Sequence, residues 1–329
     1  PSSDFPLPTV RALLTADGTQ PPSASRLHLC AHRHTQRSFS SALFSTFLAT
    51  ALSPTSAFSI IARARLRAAA VPPAPLPFTA YYIPPTCALT DYQTRWSYGH
   101  RLGIPFFLTS PPLTCGPTCH ICPPSKPISP ADPLFSLAAH AFHHCACGAG
   151  GGRHHRHDCL ARLIAECAHR EASYSFSLRR HLASSTDVGT KVDAVLTAHH
   201  LPIPVIALDV TVSCPLLPTY SSAAATSSAE IFSRRAAEKN AKHLPGSSSL
   251  NRTFLPICFT TLGGIGPPDT YAWLLSLFSA SLASERAAGL SGQATIHRRT
   301  LFLHSLVACL NRGTAKMVSF LTSPAHHLS

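Results

Sequence analysis

Apolar positions recur along this chain with two periods, and the change of period divides it into elements. Leu160, Leu163, Ile164 and Cys167 fall at i, i+3, i+4 and i+7, which predicts an amphipathic helix over 157–169. The run 190–196 reads as a strand. The run 204–212 does too, with the near-continuous apolar character of a strand buried on both faces. The alanine-rich segment 222–243 carries Glu230/Arg234 and Glu238/Lys242 at i,i+4 spacing and predicts a helix, and 254–260 reads as another strand. Strand, helix and strand joined over this length form a crossover unit, and such units build sheets covered by helices. Gly263, Gly264 and Gly266 mark a turn ahead of a helix over 269–283. A last amphipathic helix is expected over 295–311, with Leu303, Leu306, Val307 and Leu310 on one face and Gly313 as its stop.

Composition separates the two halves. Residues 1–90 hold only Asp4 and Asp17 as acids among long Ser/Ala/Thr/Pro stretches, whereas eight of the 14 acids lie between Asp158 and Glu238. The first part therefore reads as weakly structured and the acid-bearing part as a folded domain. Proline-rich segments at 72–77, 111–117 and 123–133 are poor material for long helices. A net charge of +13, with 20 further histidines, points to a polyanionic partner, of which nucleic acid is the commonest; a merely solubilising basic surface is the alternative. The 12 cysteines, without a recognisable secretory signal, suit thiolate metal ligation as well as disulfides and favour an intracellular, reducing compartment. The uncharged stretch 38–62 is long enough to span a bilayer, but it is rich in Ser and Thr and contains Pro54; no membrane segment is expected.

Against 27 basic residues, a carboxylate inside a β-branched run is an expensive choice, because a buried carboxylate needs a cation or a metal beside it. Asp193 in Lys191-Val192-Asp193-Ala194-Val195 and Asp209 in Leu208-Asp209-Val210-Thr211-Val212 are two such residues. A loop between their strands allows both to meet at one divalent ion, the arrangement of a metal-dependent phosphodiesterase. Ala225, Ala229, Phe232, Ala236, Lys239 and His243 share one helical stripe, so Lys239 points along the face that packs on the sheet. There its ammonium would position a water or stabilise charge on a phosphate. Lys242 is the other candidate, and snorkelling of Lys239 to water is the plain structural alternative.

Cys119, Cys122, His140 and Cys145 form a second constellation, Cys-x-x-Cys followed by His-x-x-x-x-Cys, which suits a tetrahedral structural zinc. Cys115, Cys147, His143, His144, His154, His155 and His157 compete as ligands. No Gly-x-Ser-x-Gly elbow and neither phosphate-binding glycine pattern occurs.

Taken in order, these pieces resemble the C-terminal region of non-LTR retrotransposon proteins, where a zinc knuckle and a restriction-like endonuclease follow the reverse transcriptase. Thr79-Ala80-Tyr81-Tyr82-Ile83-Pro84, Leu89-Thr90-Asp91 and Arg101-Leu102-Gly103-Ile104-Pro105 look like the segment before the knuckle, and Cys119, Cys122, His140 and Cys145 like the knuckle itself. Arg156-His157-Asp158, Lys191-Val192-Asp193, Leu208-Asp209-Val210-Thr211-Val212, Ala237-Glu238-Lys239, Phe254-Leu255-Pro256 and Thr261-Leu262-Gly263-Gly264-Ile265-Gly266 are similar to the endonuclease's successive motifs.

The resemblance implies an α/β fold with a small mixed, restriction-endonuclease-like sheet flanked by helices. It implies a low-complexity region over 1–78, a connector over 79–112, the knuckle over 113–150, the endonuclease over 151–285 and a helical extension over 286–329. It further implies a nuclear hydrolase that nicks target DNA to prime reverse transcription. Asp193 and Asp209 would hold Mg²⁺ or Mn²⁺, Lys239 would assist, and element RNA and an upstream reverse transcriptase domain would be partners. Val192 stands where the family has proline, the knuckle's inner loop is long, and Thr211 stands where many related nucleases place a lysine. No Tyr-x-Asp-Asp polymerase signature occurs in the chain. A decayed, catalytically dead nucleic-acid-binding remnant is the alternative expectation.

Overall fold

A computed structural model describes residues 49–53, 59–73, 88–102, 152–181, 191–198 and 205–322. The four expected zinc ligands Cys119, Cys122, His140 and Cys145 lie outside the described residues, as does most of 1–78. The chain divides into two compact units at Ser59/Ile60, and the second, from Ile60 onward, holds every strand among the described residues.

In chain order this second unit comprises α1 (Ile60–Ala70), α2 (Asp91–Leu102), α3 (Gly152–Ala172), β1 (Ser175–His181), β2 (Lys191–Thr197), β3 (Val205–Ser213), α4 (Pro218–Thr226), α5 (Ser228–Ser249), β4 (Thr253–Thr260), β5 (Ile265–Gly266), α6 (Pro268–Ser276), α7 (Ser279–Ala287) and α8 (Gln293–Thr322). The strands form one mixed sheet in the order β1-β2-β3-β4-β5. β1, β2 and β3 are successively antiparallel, β3 and β4 are parallel, and β5 returns antiparallel to β4. The parallel pair requires a crossover, and α4 and α5 supply it. The protein is thus mixed α/β, with a five-stranded mixed sheet flanked by helices.

Side chains alternate strictly along β3 and β4, so each helix layer receives every second residue. Leu208 and Val210 of β3, with Ile257 and Phe259 of β4, join Leu160 and Ile164 of α3 and Leu303, Leu306 and Leu310 of α8 in the main core. On the opposite face Cys258 packs with Phe232 and Ala236 of α5. β3 is covered on both sides, as its apolar run predicts, and each fully buried leucine or isoleucine contributes about 1.5–3 kcal/mol.

Several elements differ from the sequence expectations. The 222–243 helix is two helices, because Ser227 is extended and its side-chain oxygen caps the backbone N–H of Ala229 at 3.3 Å, starting α5 afresh. The 269–283 helix is likewise divided into α6 and α7. β1 has no counterpart among the expected strands, and within the segment read as low-complexity, 60–70 forms the helix α1. Its Arg67 Nε donates to the Ala225 carbonyl at 2.8 Å. The final helix does not stop at Gly313 but continues to Thr322. A Cβ at Gly313 would lie 2.6 Å from Arg156 Cγ, so this glycine is where the Arg156 side chain crosses α8. The turn at 260–264 does need glycine, with Gly263 at φ +96° and the Gly264 amide bonded to Thr260 Oγ1 at 3.1 Å. α8 packs on α3 and belongs to the same core as the sheet, not to a separate extension. Among the described residues no helix is long and apolar enough to cross a membrane.

Candidate functional site

The site begins with a match of repeats. Four residues of helix rise about 6 Å, and two residues of strand span about 6.6 Å. Arg235 and Lys239 of α5 therefore sit in register with Thr211 and Asp209 of β3. Lys239 Nζ lies 2.6 Å from Asp209 Oδ2, and Arg235 NH2 donates to Thr211 Oγ1 at 3.0 Å. The structure brings the predicted pair Asp209 and Lys239 together, while Lys242 is exposed. Glu238 pairs backward with Arg234 and Arg235, not forward with Lys242 as the spacing suggested.

Asp209 is only 4 % exposed, so its charge depends on these neighbours. Its Oδ2 makes no aligned hydrogen bond although the ammonium is at ion-pair distance, leaving a buried acceptor short of directional partners. His243, one turn beyond Lys239, is fully buried, stacks on Phe254 at 5.3 Å and places Nε2 3.5 Å from Asp209 Oδ1. Burial lowers its pKa, opposed by the attraction of Asp209 and aided by the repulsion of Lys239 and Lys242, so this imidazole is neutral near pH 7.

Asp193 takes a different course. The β2–β3 ladder ends at Ala194↔Leu208, and the backbone N–H of Val210 donates instead to Asp193 Oδ2 at 2.6 Å. The same oxygen lies 2.9 Å from His157 Nε2, and His157 Nδ1 is 3.4 Å from Asp158 Oδ1. Asp193 and Asp209 thus lie on neighbouring strands, each next to the last paired residues Ala194 and Leu208, but engage different helices, α3 and α5. Among the described residues no group of three or more His, Cys, Asp or Glu side chains gathers as a metal cage.

Where the ladder ends, a pocket of about 130 Å³ opens over β3. Arg153, His154, Arg156 and His157 of α3 line one side, Arg235 and Lys239 of α5 the other, with Val210, Thr211 and Val212 as its floor. All charged or ionisable groups in this lining are basic or histidine, so the pocket favours an anion. The sequence pattern alone does not single out Arg153 or Arg235, and it places His154 and His157 only among competing zinc ligands and in a family motif. The legible signal is the unbroken basic run Arg153 to His157 at the start of a helix. No protein-family model matches this chain, and no curated protein matches it.

Proposed function

We propose that the unit bearing the five-stranded sheet contains, over 151–285, a metal-dependent DNA endonuclease of retroelement origin, which would nick target DNA to prime reverse transcription. The observation that carries this reading is the buried Asp209 carboxylate against the Lys239 ammonium, where Lys239 also lines a basic pocket at the end of the sheet. The mixed sheet flanked by helices supports it as well.

Two strand carboxylates are donors of the kind a hard divalent ion takes, but here each is turned to its own basic partner, Asp193 to His157 of α3 and Asp209 to Lys239 of α5, so sharing one ion would require both to leave these partners. Asp193 and Asp209 would hold Mg²⁺ or Mn²⁺, which when bound supplies Lewis-acid stabilisation and an activated water. The chain's own cations perform the rest. Arg153 and Arg235 would bind and orient the phosphate from opposite walls, and Lys239 would stabilise charge developing on it. The Val210 amide holds the Asp193 carboxylate in place, so that group is oriented before any ligand arrives. The same reading includes a structural zinc on Cys119, Cys122, His140 and Cys145, and nucleic acid with the upstream reverse transcriptase domain as partners.

One observation favours a second reading, a binding domain without catalysis. Asp193 Oδ2 is already committed to Val210 and His157, a structural clamp on the end of β3. The deciding experiment is nicking of supercoiled DNA by the full chain with Mg²⁺ or Mn²⁺. Cleavage reduced at least ~100-fold by Asp209→Ala is expected. DNA binding with no metal-dependent nicking would leave the binding reading alone.

A further inference from the structure

On the other side of the first turns of α3 lies a larger cavity of about 430 Å³, bounded by α2, α3 and α8. Arg156, Arg312 and Lys316 contribute three permanent cations to it, and among the described residues no carboxylate lines it. His155 adds a ring that can donate or accept, and the Gln93 amide adds its Nε2 as a donor, since its Oε1 already accepts from the Thr90 backbone N–H at 3.0 Å. Cys159 and Cys309 form a weakly polar wall; burial pushes the Cys309 thiol up to about 12, so it carries no competing negative charge. The cavity falls within the size range of small-ligand sites and is far roomier than a bare phosphate needs.

Two features show that the cations are placed by the fold. Arg312 NH2 donates to the Ala88 carbonyl at 2.8 Å, anchoring that side chain at the rim. Arg156 is almost fully buried, is fixed by a 2.9 Å bond from NH1 to Thr314 Oγ1, and crosses α8 only because position 313 has no Cβ. Arg156 also lines the smaller pocket beside Lys239, so the two basic chambers share this residue.

We propose that this cavity is a nucleotide-binding site, taking the phosphate on Arg312, Lys316 and Arg156 and an acceptor on the base edge from the Gln93 amide Nε2. The occupant is a nucleoside monophosphate unit, either free or as part of a single strand. The inference concerns binding alone and stands whether or not the neighbouring pocket cleaves DNA.

The test uses the full chain without divalent metal, titrated with AMP by calorimetry and with a short labelled single-stranded oligonucleotide by fluorescence anisotropy. Lys316→Glu, at an exposed position where folding is not at stake, is expected to weaken binding at least ~10-fold, with Arg312→Gln acting in the same direction. Arg286→Glu, an equal charge change on an exposed turn of α7, is expected to leave affinity within ~2-fold. Weakening of both ligands identifies a site that accepts the free nucleotide; weakening of the oligonucleotide alone identifies a strand segment as the occupant. Equal effects of Lys316→Glu and Arg286→Glu on both ligands would overturn the proposal.

Discussion

The two partners of the Asp209–Lys239 pair are not equally placed, and stability should register the difference. The lysine side chain keeps about 20 % of its exposure and the aspartate about 5 %. Freed of Asp209, Lys239 can swing its ammonium into water, whereas Asp209 freed of Lys239 stays desolvated beside the buried His243 ring. Lys239→Ala is therefore expected to lower unfolding free energy by ~3 kcal/mol and Asp209→Ala by ~1 kcal/mol, measured by urea denaturation. Equal losses would mean that the carboxylate is hydrated. The sequence disclosed this pair because each member breaks a pattern: an acid in an apolar strand and a lysine on a packing stripe. It did not disclose the partner of Asp193, since His157 is 36 residues away and nothing in its local pattern distinguishes it from the histidines around it.

At the scale of elements, periodicity located β2, β3, β4 and the cores of α3, α5 and α8, where burial imposes a regular repeat. It failed where local chemistry or packing overrides the repeat. Ser227 splits one expected helix by capping, and β1 is an edge strand whose only apolar members over 175–181 are Phe176 and Leu178. Gly313 shows the same limit from the other direction. A glycine near a helix end suggests a stop, yet here α8 continues because the glycine admits Arg156. Gly313→Ala gains about 1 kcal/mol of helix propensity, but its methyl would meet Arg156 Cγ at 2.6 Å and Cβ at 2.8 Å, close to the Arg156 backbone where rotation gives little relief. Overpacking of this kind costs ~1–3 kcal/mol. The expected outcome is net destabilisation with loss of nucleotide affinity, read by thermal melting and calorimetry; a raised Tm would show that Arg156 can repack.

Over the whole molecule, positive charge dominates at +13, and the fold keeps part of its histidine content uncharged within it. His100 is buried, stacked on Trp96 at 4.8 Å, and its Nε2 lies 3.3 Å from Thr261 Oγ1. Burial, with Arg65 and Arg101 nearby, lowers its pKa to about 3. His304 is lowered by burial as well. In the unfolded chain both regain the ordinary value near 6.5, so between that pH and their folded values the unfolded state binds more protons than the native one. Stability is therefore full above pH 6.5 and falls as the pH drops through it, by up to ~1.4 kcal/mol per pH unit for each histidine. For His100 the loss continues until about pH 3. The measurement is chemical denaturation at pH 7.5, 6 and 5. A midpoint that declines steadily below pH 6.5, and declines less in His100→Gln, is expected. That substitution keeps a hydrogen-bonding side chain while removing the site of protonation, so a pH dependence identical to the parent's would place acid sensitivity elsewhere in the fold.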